Sequence, residues 1–113
     1  MLEAYQEAIT HYRVLALKYP DSPLAFNAHS LVVKCYIAVK DWQNAVNSLK
    51  VMIEKYKGRA ALDGVLMNMA VIYDKQLNDQ VKAREALEQL KKEYPQSRLV
   101  KAATALLSKL GVE

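Results

Sequence analysis

The residues able to carry chemistry are few. His11 and His29 are the only histidines and Cys35 is the only cysteine among 113 residues. Glu7 and His11 stand four apart, so on a helix they share a face and could touch one metal ion. A stable site takes three or four ligands, so a surface pair is the simpler reading. Cys35 would need a base and an orienting group beside it to act as a nucleophile. The sequence supplies neither, which leaves the thiol as a small hydrophobe. Carboxylates such as Asp79 and Glu85 fall on solvated helical faces, and no phosphate loop or G-x-G-x-x-G pattern occurs. The expectation is a non-enzyme with no catalytic residue, no cofactor and no metal. Lys91, Lys92, Arg98, Lys101 and Lys109 gather toward the C-terminal end, but Glu85, Glu88 and Glu93 interleave with them and no aromatic platform accompanies them. A charged, solvated face is expected there rather than a nucleic-acid surface.

The totals narrow the scaffold. Hydrophobic residues make up 52% and charged residues 25%, the balance of a folded domain rather than a disordered tail. The chain is long enough to bury a core without a metal or disulfide staple, and a single cysteine can form no internal disulfide. Three glycines and three prolines are too few for the turns of a sandwich or barrel. The wealth of Ala, Leu, Lys, Gln and Glu favours helix. No run approaches the roughly 18 apolar residues of a spanning helix, and Met1-Leu2-Glu3-Ala4-Tyr5 lacks the regions of a signal peptide. No direct membrane insertion is expected. A net charge of +4 and a pI near 9.2 favour acidic partners only mildly.

The chain repeats itself. Tyr19-Pro20-Asp21-Ser22, Tyr56-Lys57-Gly58-Arg59 and Tyr94-Pro95-Gln96-Ser97 align with steps of 37 and 38 residues. Before each tyrosine comes the same triplet: Ala8, Tyr12 and Leu15; Ala45, Leu49 and Met52; Ala83, Leu87 and Leu90. The spacing i, i+4, i+7 is one face of a helix. Proline just after a helix cannot continue it, and glycine accepts the left-handed conformation that closes one. A second kind of helix precedes two of these, with Leu24, Ala28, Leu31, Val32, Cys35, Tyr36 and Val39 as one apolar face and Leu62, Val65, Leu66, Met69, Ala70 and Tyr73 as the other. Ser22 before Pro23, Asp41 before Trp42, and Asn78-Asp79 are N-cap signals. Six helices are predicted, over residues 2–18, 23–39, 42–56, 60–76, 79–93 and 97–110, antiparallel to their neighbours because the connections are short.

These hairpins resemble tetratricopeptide repeats. Tyr36, Trp42, Ala45, Leu49 and Met52 take the family's places in one copy; Leu66, Met69, Ala70, Tyr73, Ala83, Leu87, Leu90 and Pro95 do so in the next. The family's mid-helix glycine is Val33 and Ala70 here, its turn glycine is Lys40, and the third turn carries an extra residue around Gln76–Asp79. His29 falls where the family places a large packing residue. The resemblance implies an all-α solenoid of antiparallel hairpins in one domain over residues 1–113: a half repeat at 1–20, repeats at 21–57 and 58–95, and a capping helix at 96–113. The Tyr-Pro-x-Ser punctuation and long period are also similar to bacterial envelope members, among them the YbgF-like C-terminal domain of the periplasmic TolA-binding protein and an outer-membrane assembly lipoprotein. Periplasm or cell envelope is therefore favoured over cytoplasm.

The first helix of each hairpin (helix A) lines a concave wall in that family, where a peptide or partner helix lies. Carried over, the wall positions are Asn27, Ser30, Lys34 and Ile37, then Met67, Asn68, Val71, Asp74 and Lys75. Amide side chains suit an extended backbone because one group donates and accepts. A lysine–asparagine clamp for a C-terminal carboxylate is not expected, since only Lys34 and Asn68 could serve and Leu31, Gly64 and Met67 hold the other positions. The expected role is a protein-interaction scaffold. The alternative is self-assembly through helix 2–18, whose Tyr5, Ile9, Tyr12 and Leu17 cannot all be covered in a monomer, as in a fragment of a longer array.

Overall fold

A computed structural model describes residues 2–58 and 61–111 of the chain. Six α-helices form: α1 Leu2–Lys18, α2 Pro23–Ala38, α3 Trp42–Tyr56, α4 Asp63–Lys75, α5 Gln80–Glu93 and α6 Val100–Lys109. No strand occurs among the described residues. The all-α helical-repeat fold class read from the sequence is the one that forms. Arg59, the end of the middle aligned segment, and Ala60, the expected start of the fourth helix, lie outside the described residues. Two compact units result, Met1–Tyr56 and Lys57–Glu113. In the first, α1 packs on α2 and α2 on α3; in the second, α4 packs on α5 and α5 on α6.

The first and last aligned segments fold alike. The Ser22 N–H donates to the Tyr19 carbonyl at 3.1 Å and the Ser97 N–H to the Tyr94 carbonyl at 3.0 Å. Each is a β-turn with proline second, where its fixed φ belongs. Each serine hydroxyl then accepts from the backbone two residues on, Leu24 N–H at 3.1 Å and Leu99 N–H at 3.0 Å. Asp41 and Asp79 cap α3 and α5 equivalently, accepting from Asn44 N–H at 3.3 Å and Lys82 N–H at 3.0 Å. Each satisfies an orphan donor of a first turn.

Two helix starts differ from expectation. The sixth helix begins at Val100 and not at 97. Pro23 presets helical φ directly after Ser22, whereas Arg98 and Leu99 after Ser97 form a turn first. The fourth begins at Asp63, because Leu62, only 2% exposed, enters the core from the preceding coil. Within α2 the buried face is Ala25, Ala28, Val32, Val33, Cys35 and Tyr36. Leu24 and Leu31, expected in the core, are 64% and 36% exposed. Val33 and Ala70, at the mid-helix glycine position, are both buried.

The B-helix triplets are the best-buried part of each unit. Ala45 and Ala83 are 0% exposed, Leu49 and Leu87 2% and 1%, Met52 and Leu90 1% and 0%. In α1 the picture differs: Ile9 and Ala16 are buried, Leu17 is 77% exposed, and Ala8, Tyr12 and Leu15 are half-buried.

The turn after α2 carries a backbone cost. Asp41 N–H reaches back to the Tyr36 carbonyl at 2.9 Å and Lys40 N–H to the Ile37 carbonyl at 3.0 Å, the paired bonds of a Schellman closure. That geometry puts Lys40 at φ 61°. After α4 the extra residue is absorbed by a wider loop, in which Asp79 N–H bonds the Tyr73 carbonyl at 2.8 Å and Asn78 takes φ 51°. A left-handed lysine costs about 1–2 kcal/mol, partly offset because glycine frees the unfolded chain by about 0.4–1 kcal/mol. Lys40→Gly is therefore expected to stabilise the protein by about 0.5–1 kcal/mol and raise Tm by a few degrees in a thermal melt; an unchanged or lower Tm would contradict this reading of the turn.

Candidate functional site

The expected wall residues lie on the helix A faces turned away from the packed seams. On α2, Asn27 and Lys34 are exposed and Ser30 and Ile37 half-buried. Their spacing of three, four and three residues lines them along one face. Asn27, Ser30 and Lys34 enter no side-chain hydrogen bond or ion pair among the described residues. On α4, Asn68 and Lys75 are exposed and Met67, Val71 and Asp74 half-buried. Asp74 is partly engaged, since Gln80 Nε2 donates to its Oδ1 at 3.0 Å and to its carbonyl at 3.4 Å. Each row is thus assembled on its own helix: one asparagine amide, one lysine ammonium group, a further polar side chain (Ser30 or Asp74) and apolar side chains. Such a row can pair an extended backbone and seat apolar side chains, but it offers no constellation for bond-breaking chemistry.

The first unit also holds features the sequence did not disclose. A half-open cleft of about 180 Å³ is lined by Arg13 of α1, by His29 and Val32 of α2, and by Asn44, Asn47, Ser48 and Val51 of α3. Arg13 Nη2 donates to the hydroxyl of buried Tyr36 at 2.7 Å, which fixes the guanidinium at the edge of this cleft. The two residues are 23 apart in sequence, and nothing in the periodicity marks the pair. His29 is a half-buried packing group, as expected. Its ring and that of Phe26 meet the Tyr56 ring edge-on, at 5.6 and 5.1 Å between centroids. Phe26 and Tyr56 could have been paired in advance, because the hairpin brings the start of α2 to the end of α3.

In the second unit, Ser97 Oγ donates to Asp63 Oδ2 at 2.6 Å, joining the α5–α6 turn to the start of α4. The hydroxyl bond holds the Asp63 carboxyl below the ordinary aspartate range; burial opposes it, and the Gly64 N–H and nearby Arg98 add to the lowering. Among the described residues no three His, Cys, Asp or Glu side chains gather to hold a metal. Cys35 is buried, and Glu7 and His11 line an open surface on α1.

Residues 65–97 match the family model of the tetratricopeptide repeat. The match spans α4, α5 and the Tyr94-Pro95-Gln96-Ser97 turn. No curated protein matches the chain.

Burial, then the positive charges of Lys55 and Arg13, press the His29 pKa below its usual 6.5. The folded protein therefore holds the ring neutral while the unfolded chain takes up a proton near pH 6.5. Stability from this group is complete above 6.5 and is lost as pH falls through the lower folded value. Lowering the pH from about 7.5 to about 5.5 is expected to lower Tm, and His29→Phe, which keeps the edge contact without the titration, to shrink that drop. An unchanged pH dependence in the variant, measured by circular dichroism, would contradict the assignment.

Proposed function

We propose that this chain is a protein-interaction scaffold whose open helix A faces on α2 and α4 take a peptide or a helix of a partner protein. Tetratricopeptide repeats are in general protein–protein interaction modules, and the match over residues 65–97 supports that reading. The observation that carries the reading is the α2 row, where Asn27, Ser30 and Lys34 sit on a supported helix face with their polar groups uncommitted. Backbone amides of an extended segment find both donors and acceptors there, and the lysines favour a partner with acidic residues near its anchors. No catalytic role is inferred, because tetratricopeptide repeats are non-catalytic modules.

The setting we favour is a bacterial cell-envelope complex. Its support is the Tyr-Pro-x-Ser punctuation, which forms the same turn at both of its occurrences. Fractionation of the natural protein with periplasmic and cytoplasmic markers tests it. No nucleic acid is assigned as a ligand, since Glu88 and Glu93 alternate with Lys91 and Lys92 along α5. No helix among the described residues is long and apolar enough to cross a membrane.

Photo-crosslinking from Asn27 and Asn68 in cell extract identifies the partner. Against that partner, Lys34→Glu combined with Asn68→Ala is expected to weaken binding by about tenfold or more (1.4 kcal/mol for each factor of ten) with the thermal melt unchanged. Unaltered affinity would remove the helix A faces from the interaction.

A further inference from the structure

The half-open cleft of the first unit gathers hydrogen-bonding side chains from three helices and, among the described residues, no carboxylate in its lining. Its volume is about 180 Å³, and its walls come from α1, α2 and α3. Arg13 stands at its edge, with Nη2 donating to the Tyr36 hydroxyl at 2.7 Å. That bond uses one of the five guanidinium N–H groups, and among the described residues no carboxylate pairs with Arg13. On α3, Asn47 Oδ1 accepts from Gln43 Nε2 at 3.2 Å, which leaves Asn47 Nδ2 free to donate. The Ser48 hydroxyl enters no hydrogen bond among the described residues. Asn44 is engaged, since its Nδ2 donates to Asp41 Oδ2 at 2.7 Å, and that carboxylate does not line the cleft. On α2, His29 has a buried Nε2 without a hydrogen-bond partner among the described residues, and buried polar atoms are ordinarily paired.

We propose that this cleft is a pocket for a single glutamate side chain of a partner protein, its carboxylate taken by Arg13 with Asn47 and Ser48 and its methylenes resting on Val32 and Val51. Size and charge choose the occupant. Small-molecule sites run to about 300–1,000 Å³, whereas the volume here suits one side chain. The lining carries one fixed cation and no anion, which matches a monoanion. A guanidinium takes a carboxylate through two parallel bonds, a geometry that fixes the ligand's direction. His29 and Val32 lie on the side of α2 opposite Asn27 and Lys34. The pocket is therefore apart from the helix A rows, and either assignment can fail without the other.

The two histidines make the test specific. Burial, then the charges of Lys55 and Arg13, keep the His29 pKa low. A carboxylate seated on Arg13 offsets that positive charge, so an occupied pocket raises the His29 pKa. His11 lines a different surface, on α1, and serves as the internal control.

The histidine signals of the full chain are followed by NMR while an end-blocked alanine pentapeptide with a central glutamate is added to millimolar concentration. Saturable movement of the His29 signals and a raised His29 pKa are expected. His11 is expected to stay unmoved, and the same peptide with central glutamine to give no response. Arg13→Gln is expected to weaken binding about tenfold or more. Asn47→Asp, at an exposed position, keeps the acceptor for Gln43 but sets a carboxylate at the cleft; it is expected to weaken binding several-fold with the thermal melt unchanged, so the test stands even if Arg13→Gln fails to fold. An absent response, one shared by His11 or the glutamine peptide, or one that Asn47→Asp leaves unaltered overturns the proposal. So does a nuclear Overhauser contact from His29 to a glutamate or aspartate of this chain before peptide is added, since the chain would then fill its own cleft.

Discussion

Ala45 and Ala83 have no exposed surface, and a small residue fully buried on a helix packed against another is where the two can approach closely. Everything else in the repeat follows from that approach. With a small residue at the near point, the larger ones a turn or two further on, Leu49 and Met52 or Leu87 and Leu90, reach across and are sealed from water. Burial of this kind contributes about 25 cal/mol per Å² of apolar surface, and the tight contact adds dispersion on top. The close approach also dictates short connections. Lys40 and Asn78 take left-handed backbone in the turns that follow α2 and α4, and Asp41 and Asp79 cap α3 and α5.

A seam that consumes one side of each helix releases the other. On α2 the buried side is Ala25, Ala28, Val32, Val33, Cys35 and Tyr36, so Asn27, Ser30 and Lys34 are turned outward as a matter of helical geometry. The same logic governs α4. It also separates the two terminal helices. The α6 residues aligned with Phe26, His29 and Val33 are Lys101, Thr104 and Ser108, all exposed. Where α2 carries apolar and aromatic groups at these positions, α6 carries polar ones. By contrast, α1 keeps the apolar set of an interior B helix.

Much of this was legible in the sequence, and the reasons are local. The first and last punctuating turns are specified within four residues by proline and serine, and the caps by Asp41 and Asp79 just before an apolar period. The B triplets repeat at fixed spacing and needed no knowledge of tertiary context. What escaped detection depends on pairs brought together from afar. Arg13 with Tyr36 and Ser97 with Asp63 are side-chain bonds across helices, and a single chain offers no periodic signal for them. Leu24 and Leu31 misled because hydrophobicity marks a residue as able to be buried, not as buried; their neighbours Ala25 and Val32 take the inward positions instead. The start of α6 was misplaced because Ser97 resembles Ser22 while the residue after it is arginine rather than proline.

The repeated small-residue seam is tested most directly by enlarging it at both copies in turn. Ala45→Leu and Ala83→Leu, each measured by urea denaturation, should each lose about 1–3 kcal/mol, the usual cost of overpacking a filled core. Loss of stability in both variants would support equivalent seams in the two hairpins. Full stability in either one would contradict the repeat alignment, and with it the assignment of the free helix faces to binding.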